Sequence, residues 1–215
     1  LSFYENLQNF TFKPGINKGD KVYIKNTFPY VPGMVFMNDL TTGEVKSGNR
    51  VAYYTSDLAR TGLLKGSVAA GQDSAAVLLS NKFPHLGCAW EFRSFLYKNG
   101  ILSGPGVADA KECNTPLQGD IKIIHETESA PLEKIVNVTN RISNNFYAET
   151  LLKTIGKSVT GVGSYDSARV ALVKELEKLG FKRKGFTQSD GSGLSRQNYV
   201  SARFFCNYFK AMESS

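Results

Sequence analysis

Ile142-Ser143-Asn144-Asn145-Phe146-Tyr147-Ala148-Glu149 breaks a helical pattern with three consecutive polar residues and then resumes it. Upstream, Leu132, Ile135, Val136, Thr139 and Ile142 fall on one face at helical spacing, with Ser129 expected as the cap and Pro131 in the first turn, where its missing N–H is harmless. Downstream, Phe146, Leu151, Leu152 and Ile155 predict a second helix from Asn145, ending at Gly156. A third is expected from about Tyr165 to Leu179, with Val170, Leu172, Val173, Leu176 and Leu179 inward and Gly180 as its stop. A fourth begins near Ser201 and carries Phe204, Phe205, Tyr208 and Phe209. Residues after 128 therefore read as mainly helical.

The first half has a different period. Lys21 to Lys25, Met34 to Met37, Arg50 to Thr55 and Ser74 to Leu79 alternate or carry β-branched and aromatic residues, as strands do. Pro14-Gly15, Pro32-Gly33, Thr42-Gly43, Ser47-Gly48-Asn49 and Ala70-Gly71 supply turns between them. One helix of about thirteen residues is expected after Pro84, closed by Asn99-Gly100. Residues 101 to 119 suggest a strand or hairpin ending in a loop, and Asp120 to Ile124 a further strand. The whole is read as α+β, with a β-rich part over residues 1–118 and a second domain over 119–215.

Composition narrows the function classes without choosing one. Apolar residues make up 41% of the 215 positions without long polar tracts, which describes a globular chain. No run of about eighteen apolar residues occurs, so no transmembrane helix is expected. Leu1-Ser2-Phe3-Tyr4-Glu5 has neither an initiator methionine nor a signal-peptide profile, and reads as a cut inside a longer protein. The net charge of +7 permits attraction to any polyanion. Its densest cluster, Lys182-Arg183-Lys184, lacks an accompanying recognition helix or aromatic RNA-binding pattern, so nucleic acid is set aside. Cys88, Cys113 and Cys206 are odd in number and widely spaced, which argues against zinc and against a disulfide framework. Cys88 and Cys206 are expected to behave as small buried hydrophobes.

Several familiar signatures fail. Gly161-Val162-Gly163 lacks the third glycine and preceding strand of a dinucleotide fingerprint, and Gly191-Ser192-Gly193 lacks the spacing of a nucleophile elbow. His85 and His125 are isolated and read as structural. Two polar constellations remain: Ser143-Asn144-Asn145, which alone could be a helix cap, and Asp190-Gly191-Ser192-Gly193-Leu194-Ser195-Arg196, which alone could be a polar turn.

Their combination is more specific. Ser129-Ala130-Pro131-Leu132, then Ser143-Asn144-Asn145 with Tyr147-Ala148-Glu149, a helix closing at Gly180, and Asp190 to Arg196 follow one another in an order that resembles the class C low-molecular-mass penicillin-binding proteins, the DacB-type D-Ala-D-Ala carboxypeptidases. The match in order and spacing runs through residues 129 to 205. Phe12-Lys13-Pro14-Gly15 and Gly66-Ser67-Val68 look like pieces of that family's inserted accessory domains. The resemblance implies a β-rich accessory insert followed by the helical part of a serine β-lactamase/transpeptidase-like domain.

It also implies roles. Ser143 and Asn145 would be the serine and asparagine of the family's Ser-x-Asn motif. A second hydroxyl can relay a proton toward a leaving amine, and a carboxamide can bond a substrate amide through both donor and acceptor. Asp190, Gly191, Ser192 and Gly193 would form a loop shaping the substrate-binding cleft, their glycines allowing positive φ and close packing. Ser143 is expected at an inter-helix turn with its hydroxyl on an open concave surface and Asn145 pointing the same way. Burial of both in a helix interface would favour a plain cap.

Two elements of the family are missing. No serine in the chain is followed by lysine three residues on, and Lys153-Thr154-Ile155-Gly156 breaks the Lys-Thr-Gly pattern. In the family the nucleophile precedes the inserted domains and the basic third motif follows the Asp-Gly-Ser-Gly loop. The expectation is therefore an internal stretch of a periplasmic or otherwise exported serine carboxypeptidase/endopeptidase, acting on peptidoglycan peptides through an acyl-enzyme. The full-length protein would bind β-lactams, and no cofactor or metal is expected. The alternative is a catalytically inactive homologue that binds or scaffolds the cell wall. An unrelated binding protein would require both motifs to be coincidental.

Overall fold

The computed structural model describes residues 1–102, 104, 106–110, 112, 122–181 and 184–213. The chain forms two compact units, Leu1–Asp120 and Ile121–Ser215.

The first unit holds two three-stranded sheets and a helix. One sheet is antiparallel with strand order β2-β1-β6, from Leu7–Lys13 (β1), Tyr23–Phe28 (β2) and Ala75–Ser80 (β6). The other has order β3-β5-β4, from Val35–Gly43 (β3), Arg50–Thr55 (β4) and Thr61–Ala69 (β5), with β3 parallel and β4 antiparallel to β5. Period-two alternation drives β1 inward at Gln8, Phe10 and Phe12. These phenylalanines pack with Val22, Leu40, Leu64, Val68 and Ala75 into one buried cluster. Gln8 is buried with them because its amide donates to the Pro29 carbonyl at 2.9 Å.

Neither β1 nor β5 is among the sequence expectations, and the reason differs for each. In β1 the interleaved Asn9 and Thr11 dilute the apolar signal, while Gln8 takes an inward position that a hydrophobic pattern assigns to solvent. In β5 the two glycines read as breaks. Yet at Gly66, with φ +116°, a Cβ would lie 1.9 Å from the Arg50 carbonyl oxygen of β4, so close strand approach requires the glycine. The expected helix is Pro84–Lys98 (α1), with Pro84 in its first turn and Gly100 at φ +76° after its end.

The second unit is mainly helical: Leu132–Ile142 (α2), Asn145–Thr160 (α3), Tyr165–Lys178 (α4) and Ala202–Glu213 (α5), with a small hairpin of Phe186–Thr187 (β7) and Tyr199–Val200 (β8) before α5. Ser129 does not cap α2. Its hydroxyl donates to the Ala130 carbonyl, and Pro131 occupies the cap position. Helix α3 does not stop at Gly156 but runs to Gly161, which takes the left-handed conformation. Gly156 is where α3 meets α4: a Cβ there would lie 2.7 Å from the Ala168 nitrogen and 3.0 Å from its Cα. Ala168 and Ala171 are fully buried at this crossing. Leu176 is buried too, whereas Val170 and Leu179, expected inward, are about half exposed.

Other expectations fail. Lys122 to Ile124 form no strand, with both isoleucines exposed, because no neighbouring strand pairs with them among the described residues. The described residues between 101 and 112 carry no strand, and the rest of that segment lies outside the described residues, as do Cys113, Lys182 and Arg183. Cys88 is half-buried, but Cys206 is exposed on the outer face of α5, where its sequence neighbour Phe204 takes the buried position. His85 faces Asp109 at 3.0 Å.

Candidate active site

The turn between α2 and α3 separates three adjacent polar side chains by role. Ser143 ends α2 in the left-handed region, φ 54° and ψ 50°, its backbone N–H donating to the Thr139 carbonyl. Asn144 is the N-cap of α3, its Oδ1 accepting from the Tyr147 N–H at 2.9 Å. Because Asn144 satisfies the helix end, Ser143 and Asn145 are released from capping. Both are exposed, and neither side chain has a hydrogen-bond partner among the described residues.

The second constellation is the loop joining β7 to β8, folded around one carboxylate. Asp190 accepts from the Gly193 N–H at 2.9 Å, the Ser195 N–H at 2.6 Å and the Asn198 side-chain amide at 2.7 Å. Asn198 in turn accepts from the Ser189 N–H at 2.8 Å. Gly193 sits at φ +79°. Burial raises the Asp190 pKa, but the bonds from Asn198, Ser195, Gly193 and Leu194 outweigh it and hold the carboxyl below its ordinary value. Asp190 thus sets the internal shape of the loop.

The loop lies against α3. A Cβ at Gly191 would lie 2.4 Å from the Ala148 carbonyl oxygen, so backbone rests on backbone there. Glu149, one helical turn beyond Asn145, holds it in place. Its Oε2 accepts from the Gly191 N–H at 2.9 Å, and its Oε1 accepts from the Ser192 N–H at 3.1 Å and the Ser192 hydroxyl at 2.5 Å. The Tyr165 hydroxyl at the start of α4 also favours the charged form of Glu149. Burial pushes the Glu149 pKa up, yet these donors together bring it below the usual carboxylate value. Tyr165 is pushed up by burial and by the Glu149 charge. Lys153 Nζ stands 4.2 Å from the centre of the Tyr165 ring.

The structure therefore joins the two constellations through Glu149. No hydrogen bond links Ser143 or Asn145 to the loop directly among the described residues. Glu149 stands within the quoted motif, but sequence alone assigned it no role, because helical acids are usually solvated. Its position one turn after Asn145 was the available signal. Among the described residues no group of three or more His, Cys, Asp or Glu side chains is placed to hold a metal.

Comparison with known proteins supplies the family. The profile of the D-Ala-D-Ala carboxypeptidase 3 (S13) family matches residues 4–215. The chain belongs to this family. A D-alanyl-D-alanine carboxypeptidase of Actinomadura sp. (strain R39) is 39% identical over 83 residues, 39% of this chain and 15% of that protein. A penicillin-sensitive carboxypeptidase A of Dictyostelium discoideum is 33% identical over 79 residues, 36% of this chain and 15% of its own. Penicillin binding protein 4 of Haemophilus influenzae, in a complex with a β-lactam, superposes with a TM-score of 0.78 at 19% identity, over 100% of this chain and 49% of that one. A second structure of that protein gives 0.76 at 20% identity, over 99% and 47%. The S13 chain thus spans about half the length of the solved structures it matches, and its α+β fold is theirs. No described helix is long and apolar enough to cross a membrane.

Proposed function

We propose that these residues belong to a serine-type D-Ala-D-Ala carboxypeptidase/endopeptidase that cleaves peptidoglycan peptides through an acyl-enzyme outside the cytoplasmic membrane. Residues 1–118 act as a β-rich accessory insert, and residues 119–215 contribute part of the catalytic domain. The observation that carries the reading is the division of labour at the α2–α3 turn: Asn144 caps the helix, which leaves the Ser143 hydroxyl and the Asn145 carboxamide exposed. In the reaction Ser143 passes a proton toward the leaving D-alanine amine, and Asn145 bonds the amide of the acyl chain. The nucleophile, its lysine base and the basic third motif come from parts of the protein beyond this chain, since no Ser-x-x-Lys and no Lys-Thr-Gly occurs within it. Membership of the S13 family and the carboxypeptidase relatives support this assignment.

The test is release of D-alanine by the full-length protein from a peptide ending in D-Ala-D-Ala. The expected result is turnover that a β-lactam abolishes. A full-length protein that binds cell wall but releases no D-alanine would instead identify the inactive scaffolding homologue.

A further inference from the structure

Among the residues that the catalytic reading leaves without a role, Glu149 is the most heavily bonded. A carboxylate carries no proton, so both of its oxygens can accept, and here they take three donors from the loop: the Gly191 N–H, the Ser192 N–H and the Ser192 hydroxyl. The same loop is folded internally by Asp190, which makes no use of Glu149. Loop shape and loop position thus have separate anchors. The backbone contact of Gly191 on Ala148 means that the loop can sit at this height on α3 and no closer.

We propose that Glu149 is a positioning residue, whose ionised carboxylate clamps the Asp190–Gly193 loop onto α3 and so fixes it relative to Asn145, one turn upstream. The inference rests on the proposed function for its effect on rate, but the clamp itself does not. A glutamine at position 149 must turn an N–H toward one of the loop donors. Glu149→Gln therefore leaves the loop folded around Asp190 but displaced from the helix.

Tyr165 on α4 stands beside Glu149, with the charge of Asp190 in the loop acting on that same tyrosine and Lys153 on α3 over its ring. Asp190 is the other carboxylate among them. The folded-state pKa of Glu149 is depressed, so the clamp is fully present above the ordinary glutamate value of about 4.3 and is lost as pH falls through the lower folded value.

The first arm follows backbone amide shifts of Gly191, Ser192, Gly193 and Ser195 in this chain from pH 7 to pH 3. Gly191 and Ser192 are expected to titrate together, and Glu149→Gln to abolish that step. Gly193 and Ser195 report Asp190, and their step disappears in Asp190→Asn while that of Gly191 and Ser192 remains. The second arm measures acylation of the full-length protein by a fluorescent penicillin at pH 7. Glu149→Gln should slow it about 10- to 100-fold, the loss that a displacement of order 1 Å brings, with kcat for peptide falling more than KM rises. Should Glu149→Gln unfold the protein, Ser192→Ala removes one bond and leaves the charge; a few-fold slower acylation then supports the clamp. Gly191 and Ser192 amides that ignore Glu149→Gln, or variants that acylate at the wild-type rate, overturn the proposal. A wild-type protein that is never acylated counts against the proposed function alone, because the amide titration still decides the clamp.

Discussion

Replacing Ser143 with alanine in the full-length protein is expected to lower turnover of a D-Ala-D-Ala peptide by about 100- to 10,000-fold, the usual scale for losing one positioned proton-transfer group. The structural cost should be small. Ser143 is exposed, and the bond that closes α2 uses its backbone N–H, which alanine keeps. The cap of α3 belongs to Asn144 and is untouched. Alanine tolerates the left-handed conformation about as poorly as serine does, so little new strain arises. A melting temperature within a few degrees of wild type, together with the fall in kcat, would separate catalysis from folding. Wild-type turnover with the same melting temperature would reduce Ser143 to a turn residue.

The largest stability effect is expected at the α3–α4 crossing. Gly156→Val should destabilise the second unit by about 3 kcal/mol, the upper part of the range for overpacking a close contact. Its Cβ alone would press on the Ala168 backbone at 2.7 and 3.0 Å, and backbone cannot rotate out of the way as a side chain can. The two valine methyls add to that crowding. Leaving a glycine in a helix interior already costs about 1 kcal/mol relative to alanine, so the contact must return more than that. Val170→Ala, on the half-exposed face of α4, serves as the comparison and should change stability by less than about 0.5 kcal/mol. Denaturant unfolding of both variants measures the difference. Equal effects at the two positions would mean that the crossing is not the tight contact described.

The contrast at Gly156 also explains what could and could not be read from the sequence. Local propensity marks an interior glycine as a stop, and nothing local reveals that a second helix will lie against it. The helices themselves were legible because their apolar residues recur every three to four positions, as Leu172 and Leu176 do in α4. Their exposed faces were not, since Val170 carries the same hydrophobicity as a buried residue. Strand β1 was hidden for the opposite reason: Gln8 is buried only because Pro29, 21 residues away, offers a carbonyl. Lys122 to Ile124 look like a strand, but a strand exists only where another pairs with it. At the site, the polar types at 143, 145 and 190 to 193 stood out. Glu149 did not, because its partners lie more than 40 residues downstream and only the folded chain brings them together.

The most direct test of the central claim is covalent labelling by a fluorescent penicillin, applied side by side to the full-length protein and to this 215-residue chain. An acylated serine needs a neighbouring base and an oxyanion site, and loss of such groups costs orders of magnitude in rate. A stable adduct that excess D-Ala-D-Ala peptide delays is expected on the full-length protein, and no adduct on the isolated chain. An adduct on the isolated chain would put the nucleophile among these residues, and a full-length protein that takes up no label would contradict the acyl-enzyme assignment itself.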